Sequence, residues 1–160
     1  MIGPFDIARF QGITTLPKAE SMIATLTKLD APEDDIKRTG IKELGDFGKN
    51  AEEAVPKLKR FCSSSNISYA VAKTLKRIGT PNTAELLIEI IETDTNPTIS
   101  KTSAISGLET VYNELDKPLQ RRAIEILKAA FLHGNLDVGN AAEEALTKLN
   151  IDVSLLLEEC

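Results

Sequence analysis

Apolar positions recur along the chain at the spacing of one helix face. Ile36, Gly40, Leu44 and Phe47 are separated by 4, 4 and 3 residues, and Ile67, Val71, Leu75 and Ile78 repeat that spacing 31 positions later. Ser100, Ala104, Leu108 and Val111 carry it on after 33 residues, and Val138, Ala142, Leu146 and Leu149 after a further 38. The third slot is Leu in all four sets. The second is Gly, Val, Ala and Ala, always small or β-branched. Self-similarity at such a period predicts stacked structural repeats. Gly40 inside the first helix costs about 1 kcal/mol against Ala, so a neighbouring helix is expected to approach it closely.

Each predicted helix has a partner. Ala54, Val55, Leu58 and Phe61 give an inward face to a helix from Ala51 to Cys62, with Pro56 expected in or near its first turns. Thr80-Pro81 opens a second partner helix carrying Ala84, Leu87, Ile88 and Ile91. Asp116-Lys117-Pro118 opens a third with Leu119, Ala123, Ile126, Leu127 and Ala130 inward, and a short fourth starts near Asp152. Ser65 or Asn66 is the expected cap of the helix that begins at Ile67. Upstream, Met22, Leu26 and Leu29 mark a helix over 16–29, and Phe5, Ile7 and Phe10 form one turn or short helix before it.

The whole chain, 1–160, therefore reads as a single all-α domain. Residues 1–30 form an N-terminal cap, and 31–62, 63–94, 95–134 and 135–160 form four helix-pair units. Each pair is too small to cover its own apolar face, so the units must cover one another in a row.

Composition agrees: 42% of residues are hydrophobic, but only 4% are aromatic and Trp is absent, so the core is aliphatic. The net charge of −5 argues against a general nucleic-acid binder, which needs clustered cations. Lys57, Lys59, Arg60, Lys73, Lys76 and Arg77 do cluster in sequence, yet residues 80–116 then carry seven acids against one Lys. Cys62 and Cys160 form no ligand pair, and two free thiols in a reducing compartment are expected. No apolar run approaches the ~20 residues that cross a bilayer, and Asp6 interrupts the place of a signal-peptide core. The expectation is a soluble cytoplasmic protein.

Two stretches resemble a known family. Residues 44–61, LGDFGKNAEEAVPKLKRF, and 75–91, LKRIGTPNTAELLIEII, are similar to the short HEAT repeat of the phycobilisome-lyase type. That repeat has a Leu-x-x-Phe/Ile-Gly helix end, a brief turn and Ala-Val-Pro at the start of the next helix. Glu85 replaces that proline in the second unit, and Tyr112 and Asn150 stand at the glycine slot of the third and fourth. The resemblance implies an α-solenoid, a right-handed superhelix of stacked antiparallel helix pairs with about four HEAT-like repeats. A tetratricopeptide array has a similar period, but its Trp, Gly-Tyr and Pro signature is missing.

Candidate chemistry is sparse. His133 is the sole histidine, so the paired His-Glu motifs of a HEAT-like di-iron hydroxylase are absent. There is no Gly-rich phosphate loop, HExxH, CxxC or Ser-His-Asp set. No catalytic, cofactor-binding or metal-ligating residue is assigned, and a non-enzymatic role is expected. In the resembled family the second helix of each pair lines a concave face. Carried over, the partner-binding positions are Glu53, Lys57 and Arg60, then Glu85, Glu89 and Glu92, then Arg121, Glu125 and Lys128. The resemblance thus implies a scaffold or adaptor for a protein partner. The apolar Leu155-Leu156-Leu157 run offers a surface to another copy, so a monomer or weak homodimer is expected. An enzyme of bilin-lyase-like or HEAT-like DNA-repair type is the alternative.

Overall fold

The structure, a computed structural model, describes residues 16–158, with side chains from 21 to 157. The expected turn at Phe5–Phe10, and Cys160, lie outside the described residues. Eight α-helices are described: α1 (Leu16–Lys28), α2 (Asp34–Asp46), α3 (Ser68–Ile78), α4 (Ala84–Glu92), α5 (Thr98–Val111), α6 (Lys117–His133), α7 (Leu136–Lys148) and α8 (Ser154–Glu158). A 3₁₀ helix spans Gly48–Phe61, and shorter 3₁₀ turns span Pro81–Thr83 and Tyr112–Glu114. Among the described residues there is no strand.

The helices form two layers. In the first, α2 packs on α3, α3 on α5, and α5 on α7. In the second, the Gly48–Phe61 helix, α4 and α6 follow one another, each packed against the first-layer helices on its inner side. The lattice leucines Leu44, Leu75, Leu108 and Leu146 are all fully buried between the layers. They lie one per first-layer helix, so the core is a row and not a single centre. Fully burying a leucine is worth about 1.5–3 kcal/mol, and the recurrence of this slot drives the stacking.

The predicted lattice needs one correction. Ile36 is 41% exposed and Ile41 is fully buried in its place. Gly40 and Gly45 are also buried, which rotates the inward face of α2 toward Ile41. The cause is α1: it packs across α2 at Gly40, where a Cβ would lie 2.8 Å from Lys28 Cβ and 3.0 Å from the Thr25 carbonyl oxygen. The close approach expected of Gly40 is thus present.

The helix expected over Ala51–Cys62 is a 3₁₀ helix that starts at Gly48, and Pro56 sits well inside it. An α-helix would bring the proline ring against the carbonyl four residues earlier. Three-residue bonding, seen at Asn50 N–H to Phe47 O and Cys62 N–H to Lys59 O, relieves that clash. Buried residues follow the three-residue turn in two runs, Ala51–Ala54 and then Val55–Leu58–Phe61, with a one-residue step beside Pro56.

The first-layer helices α2, α3, α5 and α7 end by a common rule with one exception. Gly48 and Gly79 adopt φ of 57° and 62°, and Asn150 stands in the same slot at 63°. Asn is the non-glycine residue best suited to this left-handed conformation. In the third unit Tyr112 has φ of −49°, and the chain leaves the helix through a 3₁₀ turn instead. Asp116 caps α6 by accepting from the Leu119 N–H at 3.0 Å. The residue that precedes α3 is Ile67, which makes no side-chain cap, so neither Ser65 nor Asn66 caps it as expected.

Candidate functional site

Two grooves open along the second layer, and the 3₁₀ geometry decides what lines them. Side chains three residues apart eclipse in a 3₁₀ helix. Glu53, Pro56 and Lys59 therefore line up on one flank of the Gly48–Phe61 helix, and Lys57 and Arg60 follow on the next, with Ser63 just past its end. The first flank forms a groove of about 410 Å³ against α4, completed by Glu52, Asn82, Glu85 and Glu89. The second forms a groove of about 650 Å³ with Leu26, Leu29 and Asp30 at the end of α1.

The first groove is acidic. Four carboxylates converge there with one cation, Lys59, whose Nζ lies 3.3 Å from Glu89 Oε2. Asn82 Nδ2 donates to Glu52 Oε1 at 2.6 Å. Glu53 and Glu85, both exposed, have no cationic partner among the described residues. The second groove differs: Lys57, Lys59 and Arg60 border it, and of these Arg60 is committed to the end of α1. Arg60 donates to the Leu29 carbonyl at 3.1 Å and to Asp30 Oδ1 at 2.8 Å, so it clamps the 3₁₀ helix to the C-terminal end of α1. Its guanidinium also lies 4.7 Å from the Phe61 ring centroid.

The nine expected partner-binding residues are thus divided. Glu53, Glu85 and Glu89 meet in the first groove, and Lys57 and Arg60 lie in the second, which Glu89 also borders. Glu92 borders another groove, between α4 and α6, which His133 also lines. Its carboxylate is 3.4 Å from Arg122 and not from Arg121. Glu125 and Lys128 face each other on one helix at 3.8 Å. Arg121, Glu125 and Lys128 line none of these three grooves.

The carboxylate row Glu85, Glu89 and Glu92 repels itself along α4, by a few tenths of a kcal/mol per i, i+4 pair. Lys59 and Arg122 offset this from either side, each 30 residues from its partner. Other links join successive units at nearly the same separation: Arg77 to Asp46 at 2.7 Å, Thr74 Oγ1 to the Ile41 carbonyl at 2.8 Å, and Ser68 Oγ to Ser100 Oγ at 2.8 Å. Asn96, buried in its loop, donates to the Cys62 and Ile90 carbonyls at 2.8 and 3.0 Å. Side-chain bonding repeats with the period of the apolar lattice.

Cys62 is fully buried, and its thiol lies 3.7 Å from the Leu58 carbonyl. Burial, with the nearby Glu89 charge, pushes its pKa up from an ordinary 9.0 to about 12. At neutral pH the protonated thiol has little nucleophilic character. Among the described residues no three His, Cys, Asp or Glu side chains group as a metal site would require, and no helix is long and apolar enough to cross a membrane.

Stacked helix pairs that share one linear core, bonded unit to unit at about one repeat's separation, define a helical-repeat protein. The family model for HEAT repeats matches residues 23–109, more than half of the chain, and the protein belongs to that family. No curated protein and no solved structure matches the chain. HEAT repeats are generally protein-interaction scaffolds.

Proposed function

We propose that this chain is a protein-binding scaffold, and that its second-layer groove between the 3₁₀ helix and α4 receives a basic segment of a partner. The observation that carries this reading is the convergence of Glu53 and Glu85 in one groove without cationic partners among the described residues. Two like charges held together on a rigid surface are a standing cost that a cationic ligand removes. Glu89 and Glu52 add to the field, while their bonds to Lys59 and Asn82 hold the groove walls in place. The ligand contributes charge and the protein contributes position, so association should weaken with added salt. This is a binding role and not a catalytic one. The phycobilisome-lyase kinship suggested by the Ala-Val-Pro motif remains a narrower reading within the same family.

The test uses Glu53→Lys together with Glu85→Lys, since neither residue holds the fold through an ion pair. Partners captured from lysate by the wild type should be lost by the double variant, and a labelled Lys-rich peptide should bind at least about tenfold more weakly. Equal capture and equal peptide affinity would remove this groove from consideration.

A further inference from the structure

The basic cluster seen in sequence does not stay together. Lys57, Lys59 and Arg60 fall on the 3₁₀ helix of the second layer, whereas Lys73, Lys76 and Arg77 fall on α3 of the first. The inward face of α3 is the buried set Val71, Ala72, Leu75 and Ile78. Its three cations therefore point to the far side of the molecule from the acidic groove. The exposed side of α3 is thus basic, whereas the groove between the 3₁₀ helix and α4 is acidic.

Two grooves flank α3 on that side. One, of about 690 Å³, lies toward α2 and is lined by Asp35, Arg38, Lys42, Tyr69 and Lys73 among others. The other, of about 600 Å³, lies toward α5 and is lined by Lys76, Thr102, Ser103 and Ser106. Tyr69, Lys73 and Arg77 border both, so a ligand crossing α3 meets a continuous surface.

Not every cation there is available. Arg38 is bound to Asp35, and Arg77 to Asp46 at 2.7 Å. Lys42, Lys73 and Lys76 have no carboxylate partner among the described residues, and α3 carries no acid of its own. Lys73 Nζ lies 5.4 Å from the centroid of the Tyr69 ring, which holds the ammonium over the divide between the grooves.

We propose that the outer face of α2, α3 and α5 is a second docking surface, which takes an extended acidic segment of a partner protein. The charge is complementary, and three free ammonium groups suit three or so carboxylates. The apolar part of Tyr69, the Ala70 methyl and the lysine stems give such a segment something to lie on. Hydroxyls of Ser103 and Ser106 border the second groove within reach of a peptide backbone. Neighbouring helices lie about 8–10 Å apart, so the path from α2 to α5 is about 20 Å, or roughly six extended residues.

A nucleic acid fits less well. Its phosphates continue past any short site, and here the basic stretch is bounded. Glu109 on α5 and the exposed Glu143 and Glu144 on α7 follow in the same layer. A phosphate backbone would run from the lysines onto carboxylates, while a short acidic peptide would not. With one acid-binding and one base-binding face, the protein would bridge two different segments.

The experiment titrates the full chain into a labelled peptide of about ten residues with Glu at alternate positions, and into a Lys peptide of the same length as control. The Glu peptide should bind, and Lys73→Glu with Lys76→Glu should weaken it by at least about tenfold at unchanged helical content. Lys42→Glu should weaken it as well, from a different helix. Glu53→Lys with Glu85→Lys should leave it unchanged, which separates this surface from the acidic groove. Three results would overturn the proposal: equal binding by the α3 variant, tighter binding of a single-stranded oligonucleotide of the same charge, or sedimentation showing self-association that the α3 variant abolishes.

Discussion

Gly40 and Lys28 sit so close that a methyl group on Gly40 would stand 2.8 Å from Lys28 Cβ. The same methyl would also lie 3.0 Å from the Thr25 carbonyl oxygen, which is backbone and cannot swing aside. The junction of α1 with α2 therefore depends on the absence of a side chain. Thr25 and Lys28 also reach Glu43 of α2, at 3.1 and 2.6 Å, across the same contact.

Replacing Gly40 by Ala should therefore destabilise the protein, by about 1–3 kcal/mol, although Ala is the better helix former by about 1 kcal/mol. Gly139 in α7 supplies the control. Its nearest atom is the Phe131 carbonyl oxygen at 3.5 Å, an ordinary contact. Gly139→Ala should raise the melting temperature while Gly40→Ala lowers it. Thermal unfolding followed by circular dichroism reads both, and two shifts of the same sign would contradict the packing of α1.

Ser68 and Ser100 bond to each other at 2.8 Å with both residues fully buried. Removing one hydroxyl leaves the other without its partner, at about 1–3 kcal/mol. Removing both replaces the pair with apolar surface of nearly the same shape. Ser68→Ala with Ser100→Ala should accordingly cost less than the two single changes added together. A double-mutant cycle by denaturant unfolding measures the difference, and strict additivity would mean that the hydroxyls do not act as a pair.

Cys62 makes stability depend on alkaline pH. Its thiol titrates near 9.0 when unfolded and at about 12 in the fold. Below pH 9 both states hold the proton and the thiol adds no slope. Between 9 and about 12 the unfolded state loses its proton first, so stability falls with rising pH, at most by about 1.4 kcal/mol per unit. Cys62→Ala should lack this component, which appears as the difference between the two proteins' unfolding curves over that range. The same burial should make alkylation of Cys62 at neutral pH slow until the protein is unfolded, as mass spectrometry of the modified peptide would show.

How far the chain announced its structure varies by feature. The lattice leucines were legible because each recurs at one register, and burial at that register is what stacking requires. Gly40 was legible too, since a helical glycine has a cost that only close contact offsets. Ile36 was not. It satisfies the spacing, but the inward face of α2 is set by where α1 crosses, and that is a contact between elements. The 3₁₀ character of Gly48–Phe61 also escaped, although Pro56 was its visible cause. The choice between kinking an α-helix and tightening its turn depends on the neighbours it must cover.

Among the candidate residues, Glu53 and Glu85 are exposed and Glu89 is half-buried, all three on the second layer. Their convergence was hidden, because it comes from three-residue eclipsing on one helix and from the spacing to the next. Arg60 looked like a free surface cation and is a clamp on α1. Lys73, Lys76 and Arg77 looked like the continuation of one basic run and belong to the other face.

What the sequence by itself determined is the order of helices and the row of buried leucines, since periodicity in one chain is enough to state which residues must leave water. Which charges meet was decided only by the tertiary structure. For the pairs that join units, the partner lies about 30 positions away, as with Lys59 and Glu89, and nothing local marks which of several equally exposed side chains it will be. Burial is a property a helix can declare alone, whereas pairing between units exists only once two helices are brought side by side.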